Sequence, residues 1–378
     1  DHLEFTKGNP LRSLNVNIKN GNIANATKFK LFLPSTRNSL NELFGTLIFR
    51  ELGYISPETF QVKVNVNNIE SEMLFQEDSR KELLERNMRR EGPIFEGDES
   101  LLFKNIPNNQ SNQLMELSLS RLINRKWFLK GNNSKSISIN AYSRLQKGYL
   151  YQKFLNKYGF VGYYIDPNNG ESSIFKDFNF LLIAMKGHHG AAGHNRKFYF
   201  NSFINQFEPI YYDGDLEIIR DPIKDKKLIR FWLKRLKFND RYSFSSLDQI
   251  KSKSFFSNLE NKFKNRLNNY NIYEKDFFNK SYESLLKNIV FAQKEIKNIK
   301  NNNKNIFDYS YLRKYYLNRL KNQTFSEEFI KSINIEKNKA SIILDKNEER
   351  LDINFDELSK IIARKNLDGR LKNKSFIF

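Results

Sequence analysis

Cysteine is absent from the 378-residue chain. That excludes disulfides, thiolate nucleophiles and cysteine-ligated zinc or iron–sulfur centres, and it leaves the compartment open. No apolar run approaches the ~20 residues that a membrane-spanning helix needs. No signal-peptide pattern is visible, and the start at Asp1 rather than Met is compatible with a removed upstream segment. Glycine is scarce where phosphate loops need it. The turn-rich stretch Gly21–Asn25 carries Gly21 alone, so it is neither a P-loop nor a glycine-rich kinase loop. Acidic residues are outnumbered, 43 Asp+Glu against 63 Lys+Arg, for a net charge of +20. Such a balance suits an anionic partner: nucleic acid, a phosphate-rich ligand or an anionic membrane face. The crowding of Lys, Asn, Ile and Phe that AT-rich genomes produce explains it equally well, so charge alone assigns no partner. Histidine is rare too, with four in the chain, and three of them fall at positions 188, 189 and 194.

Aromatic residues are plentiful, 34 Phe and 18 Tyr, which is ample material for a core. Leu14, Val16 and Ile18 alternate with polar residues as a strand, and Thr27 to Phe32 reads as its partner, with Lys28 and Lys30 on the polar face. Ser39-Leu40-Asn41-Glu42 has the form of a capping box before a helix that Gly53 closes. Phe60, Val62, Val64 and Val66 alternate as a strand, Asn67-Asn68 turns the chain, and Met73 to Glu77 returns. Residues 79–90 predict a charged helix, and Gln113 to Leu129 an amphipathic one. Gly131 to Lys135 reads as a loop before a helix near Ala141–Tyr158. Helical, Lys-rich patterns dominate after about residue 224. Asn301-Asn302-Asn303-Lys304-Asn305 is a low-complexity break. Helices are expected at Tyr309–Leu320 and Phe355–Ala363, with a hairpin pairing Lys339–Leu344 and Arg350–Ile353. No internal repeat is present.

The chemistry concentrates in His194-Asn195-Arg196-Lys197-Phe198-Tyr199-Phe200 and Pro209-Ile210-Tyr211-Tyr212-Asp213-Gly214-Asp215. This reads as a strand, a loop and a second strand that ends in two carboxylates. An Asn on one segment and an Asp just past its neighbour are hard oxygen ligands, the arrangement by which kinase-like folds hold Mg²⁺ on nucleotide phosphates. The plain alternative is a β-hairpin whose Asp-Gly-Asp is only a turn.

These segments resemble the CotH family, atypical kinases named after a bacterial spore coat protein. In that family a His-Asn followed by aromatics leads through a strand to a Pro-x-Trp-Asp-x-Asp ending. Here Tyr212 stands where Trp is usual, and one extra residue follows Pro209. Arg37-Asn38 and Leu43-Phe44 through Phe49-Arg50-Glu51-Leu52-Gly53 are similar to the family's helix with its "FRE-x-G" end. Pro57 to Val66 is similar to its next strand. Phe75-Gln76-Glu77 is similar to its "VEQ" strand end, and Gly92-Pro93-Ile94-Phe95-Glu96-Gly97-Asp98 to its "GNLYKGD" turn. The resemblance covers roughly residues 14–105 and 176–216.

The resemblance implies an α+β, atypical protein-kinase-like fold of two lobes with a mostly helical C-terminal region. The core would span residues 1–223, with its first lobe over about 1–110 and the metal hairpin at 194–216; a helical lobe or extension would occupy 224–378. It further implies ATP- and Mg²⁺- or Mn²⁺-dependent transfer of phosphoryl to Ser or Thr of a protein. The family's name leans toward a bacterial cell envelope or extracytoplasmic setting. Lys28 or Lys30 would meet the phosphates, with Glu77 as the carboxylate partner and Gln76 its competitor, since the "VEQ" alignment can slip by one. Without the family, both lysines read as a solvated strand face and Glu77 as an exposed strand end. Asn195 and Asp213, with Asp215 as a second ligand, would hold the metal. The family's base is an Asp about five residues before the Asn; that position here is Gly190, and Asp177 is too far upstream to assign. His188 or His189 could accept the hydroxyl proton instead; failing that, the site is a nucleotide-binding pseudokinase.

Two other classes compete. His188, His189 and His194 with the nearby aspartates could hold Zn²⁺, Fe²⁺ or Mn²⁺ for phosphoester hydrolysis, although the spacing fits no zinc signature and adjacent histidines on a strand point apart. The basic, aromatic run Lys226 to Arg235 could follow a nucleic-acid backbone, or be an amphipathic helix with its lysines in water.

Overall fold

The computed structural model describes residues 11–97, 120–155, 167–168, 173–193, 195–219, 222–235, 238, 241–298, 330–336, 339–344 and 350–354. By contacts the chain divides into two units, 1–300 and 301–378. Helices and antiparallel sheets mix in it, which makes the class α+β.

In the first unit, β1 (Leu14–Asn17), β2 (Lys28–Phe32), β3 (Thr59–Val66) and β4 (Ile69–Glu77) form an antiparallel sheet in the order β1-β2-β4-β3. The β3–β4 turn is Asn67-Asn68, both left-handed at φ 52° and 65°. A two-residue hairpin with both central residues left-handed matches strand twist, and Asn tolerates that conformation. Helix α1 (Leu40–Glu51) crosses between β2 and β3. Gly53, at φ 82°, ends it: Gly53 N–H reaches the Arg50 carbonyl and Tyr54 N–H the Phe49 carbonyl, the double bond of a Schellman stop. The start departs from the expected capping box. Ser39 sits at φ 43° with no side-chain cap bond, and the Glu42 side chain is engaged elsewhere, as described below.

A second sheet has the order β6-β5-β7-β8, built from β5 (Ile94–Gly97), β6 (Ser120–Leu122), β7 (Lys197–Asn201) and β8 (Gln206–Ile210). Here the expected helix over Gln113–Leu129 is overturned at Ser120–Leu122, while Arg125–Phe128 is helical as expected and residues 113–119 lie outside the described residues. Ser120 to Leu122 pairs with Gly97 to Phe95, so sheet pairing overrides the local helical spacing. Helix α2 (Lys81–Arg86) precedes this sheet. The short α3 (Arg125–Phe128) and the long α4 (Asn132–Leu155) follow β6, and α4 begins inside the expected 131–135 loop.

Helices α5 (Ile174–Ala184), α6 (Pro222–Arg235), α7 (Leu247–Lys251), α8 (Lys253–Lys264) and α9 (Ile272–Lys297) complete the unit. Leu43, Phe44 and Leu47 of α1 share one core with Phe180 and Leu181 of α5, Ile229 and Trp232 of α6, Phe263 of α8 and Phe278 and Ile289 of α9. This is why no contact boundary falls near 224, where the sequence suggested one: the helices beyond it bury their apolar stripes against α1 and α5. The division comes at 300/301 instead, next to the Asn-rich break.

The second unit contains β9 (Ile330–Glu336), β10 (Lys339–Leu344) and β11 (Arg350–Asn354) in the order β11-β10-β9. The expected pairing of residues 339–344 with 350–353 is present, and β9 adds a strand that its sequence did not announce. The helices expected at Tyr309–Leu320 and Phe355–Ala363 lie outside the described residues. Among the described residues no helix is long and apolar enough to cross a membrane.

Candidate functional site

The hairpin β7–β8 pairs Lys197 with Ile210 at its open end. Asn195 leaves one strand just before that pair and Tyr212-Asp213 leave the other just after it, so antiparallel pairing alone puts them on the same side. A bridge between Ile55 and Ile210 continues as Tyr211 N–H to the Ile55 carbonyl, 2.8 Å, and ties this end to the chain that leaves α1. Gly45 in α1 permits the close approach: a Cβ there would fall 2.0 Å from Leu216 Cδ1.

Asp213 and Asp215 are both left-handed, φ 48°, on either side of Gly214. Their carboxylates diverge. Asp213 Oδ1 meets Arg37 Nη1 at 2.9 Å, while Asp215 Oδ1 accepts from Asn38 Nδ2 at 2.7 Å. His189 stands between the two metal candidates: its Nδ1 is 3.1 Å from the Asp213 carbonyl and 3.8 Å from Asp213 Oδ1, and Asn195 Nδ2 lies 3.1 Å from the same ring nitrogen. The Asn195 amide also reaches the His189 carbonyl at 3.2 Å, so its side-chain oxygen is the atom left to offer a cation.

The two candidate lysines face the same way as Gln76. Register pairs Lys30 with Gln76 and Phe29 with Glu77, and alternate residues of a strand share a face. Lys30 Nζ donates to Tyr212 Oη at 3.0 Å; Lys28 Nζ pairs with Asp78 at 3.2 Å. Glu77 points to the other face, where it meets Arg86 Nε at 3.1 Å and the Glu58 N–H at 3.2 Å. It therefore does not partner either lysine; the residue opposite Lys30 is Gln76, the competitor named from sequence.

Several residues at this site went unassigned from sequence. Lys197 is 4% exposed, with its Nζ 3.7 Å from the Tyr212 ring centroid, 3.4 Å from Glu96 Oε2 and 3.3 Å from Ser79 Oγ. Burial alone would raise the Asp78 pKa, but Lys197, Lys28, Lys30 and Arg80 outweigh it and hold the carboxyl below its ordinary value. Arg37 lies 4.2 Å over the Phe32 ring beside Asp213. Glu42 is 1% exposed, accepts from Tyr211 Oη at 2.7 Å and from Gln76 Nε2 at 2.8 Å, and is raised by burial to about 7. Its disguise was the capping box. The one signal available was an acidic residue five positions after Arg37, on the same approach to the helix.

The two adjacent histidines have separate fates. His188 stacks on Trp232, centroids 5.4 Å apart at 25°, and burial lowers its pKa. His189 is the half-exposed one at the aspartate. His194 lies outside the described residues. Gly190 follows in a tight 3-10 turn, His188–Ala191, that rests on the 212–214 backbone. A Cβ at Gly190 would come within 3.0 Å of the Tyr212 carbonyl and 3.1 Å of Gly214 Cα, so this turn as packed has no room for an aspartate. Asp177 is occupied elsewhere, accepting from Tyr242 Oη at 2.7 Å and Ser245 Oγ at 2.6 Å.

Among the described residues no group of three His, Asp or Glu side chains converges as a metal site. Asp213 and Asn195 nevertheless offer two oxygen donors from facing segments, and a guanidinium already neutralises the Asp213 carboxylate. Such a donor set suits a hard divalent ion that takes its remaining ligands from water and phosphate. Comparison with protein-family models and with curated proteins finds no match to this chain.

Proposed function

We propose that the first unit is an atypical kinase of the CotH type, with the β1–β4 sheet and α1 as one lobe and the β5–β8 sheet with the later helices as the other. The reaction would be ATP- and Mg²⁺- or Mn²⁺-dependent phosphoryl transfer to Ser or Thr of a protein. The observation that carries this reading is the convergence, at one hairpin end, of Asn195 and Asp213 with three cations, Lys30, Arg37 and Lys197. Phosphoryl transfer requires little beyond positioned positive charge and an oriented acceptor.

Bound metal and nucleotide would supply the phosphoryl group and neutralise its charge. Asp213 and the Asn195 side-chain oxygen would hold the ion. Lys30 and Arg37, on β2 and just before α1, would face the phosphate oxygens. Of the two histidines only His189 lies beside Asp213, so it is the candidate acceptor of the hydroxyl proton; His188 belongs to the packing around Trp232. A hydrolytic metal centre built on three histidines finds less support, since His188 is stacked away in this manner.

Thermal shift with ATP and Mg²⁺ or Mn²⁺ tests the reading. Ligand at 100 times its Kd should stabilise the wild type by about 2.7 kcal/mol. Asp213→Asn should lose that shift while keeping its circular dichroism and cooperative unfolding. A folded Asp213→Asn protein with an unchanged shift refutes the metal assignment. His189→Ala then separates two forms of the reading: it should bind MgATP yet lose turnover. A wild type that binds ATP but transfers to no acceptor makes the protein a pseudokinase, with Gly190 as the simplest cause.

A further inference from the structure

The phenol of Tyr212 occupies the Lys30 ammonium. The geometry points to Tyr212 as a built-in competitor of the nucleotide: its hydroxyl takes the place of a phosphate oxygen at Lys30 and must leave before a triphosphate can bind. This inference rests on the nucleotide reading above.

Three contacts support it. Lys30 Nζ is 3.0 Å from Tyr212 Oη, and this phenol is the hydrogen-bond acceptor found for that ammonium among the described residues. Lys197 Nζ covers the same ring at 3.7 Å, which fixes the ring plane by a cation–π contact and leaves the hydroxyl to project toward Lys30. Lys28, by contrast, is already neutralised by Asp78 at 3.2 Å. Lys30 is therefore the lysine on this face with a neutral oxygen at its tip rather than a carboxylate. A phosphate oxygen is a stronger acceptor for an ammonium than a neutral phenol oxygen is, because it adds the attraction of a full opposite charge to the hydrogen bond. Tyr212 directly precedes the metal candidate Asp213 in the chain, so the competing phenol and the proposed metal carboxylate leave β8 together.

The hydroxyl can be removed without the ring. Tyr212→Phe keeps the face for Lys197 and frees Lys30. Tyr212→Trp does the same with the side chain that the sequence resemblance leads one to expect. Isothermal titration with MgATP, with magnesium tripolyphosphate and with adenosine should show both variants binding the two phosphate ligands about three- to tenfold tighter than wild type, the size of one net hydrogen bond. Adenosine should be unaffected. A purely structural tyrosine would weaken binding or leave it alone. In a Lys30→Ala background the Tyr212→Phe gain should vanish. Unchanged or weaker phosphate binding by Tyr212→Phe, in a wild type that binds MgATP, overturns the inference and spares the nucleotide reading. No phosphate binding by the wild type or by any variant overturns both. Binding by Tyr212→Phe alone supports both.

Discussion

Gln76 and Glu77 are neighbours at the end of β4, and they face opposite ways into two charge clusters of different character. On the Glu77 face, Glu58 is gripped by Arg50 and, at 2.8 Å, by Arg266, while Glu77 takes Arg86 and a backbone N–H. One further donor of each arginine ends on a main-chain carbonyl, Arg50 on Ser56, Arg266 on Lys262 and Arg86 on Ala24, while Arg50 Nε and Glu77 Oε1 are buried without a hydrogen-bond partner. Burial opposes the charge on Glu58, but its arginines win and its pKa lies below the ordinary value. On the Gln76 face the partners are mismatched. A lysine meets a phenol, a buried carboxyl meets a phenol and an amide, and an arginine alone neutralises Asp213. One cluster sets guanidinium groups against its carboxylates and joins α1 to the helix α8 region, although burial still raises the Glu77 pKa; the other sets Lys30 and Glu42 against neutral partners, an imbalance of the kind that ligand sites use.

The sharpest break of this contrast is Glu58→Gln. It strands two partly buried guanidinium groups and should cost about 3–5 kcal/mol, read as a fall in the urea midpoint with an unchanged slope. Nucleotide affinity per folded molecule should not change. If it does, the two faces of β4 are not separate systems.

Glu42 tests the other face through pH. Its folded pKa, about 7, exceeds the ordinary 4.5. Between those values the folded state binds more protons than the unfolded one, so this residue makes stability fall as pH rises from about 4.5 to about 7. Glu42→Gln, which can still accept from Tyr211, should remove that slope. The variant should match wild type near pH 5 and exceed it by about 2 kcal/mol at pH 8. Parallel stability–pH curves for the two proteins would show that Glu42 keeps an ordinary pKa and that burial leaves its charge unopposed.

The contrast itself was only half legible in the sequence. Alternation exposed β1 through β4, β7 and β8, because each has one apolar face, and Asn67-Asn68 and Gly53 marked turns that only left-handed residues make easily. Parity across a strand pair is different. Whether Gln76 or Glu77 shares a face with Lys30 depends on the β2–β4 register, and nothing local sets that. Glu42 looked like a cap because Ser39-x-x-Glu42 is one; its true partners, Tyr211 and Gln76, come from 169 and 34 residues away. Lys197 reads as an ordinary strand lysine until the Tyr212 ring covers it. Residues 120–122 carry helical spacing, yet β5 offers an edge that wins. The helices after 224 look separable by composition but share the α1 core.

The smallest expected effect separates the two lysines that share the site face. Lys28 is a third exposed and its ammonium is paired with Asp78, a carboxylate that Arg80 also holds. Losing it leaves Asp78 with other cations and takes little from a phosphate. Lys30 is more enclosed, sits two residues closer to Arg37, and carries no carboxylate at its tip. Lys30→Ala should therefore weaken MgATP about tenfold, near 1.4 kcal/mol, and Lys28→Ala by less than about threefold. Titration of both variants in parallel at constant salt decides it, since screening affects exposed charges most. If Lys28→Ala proves the more damaging change, the phosphates lie toward Asp78 and away from Arg37, and Asp213 loses its place as the metal residue. Should neither change matter, the Gln76 face of β4 is a second structural cluster, and its mismatched partners reflect poor pairing with no ligand to relieve it.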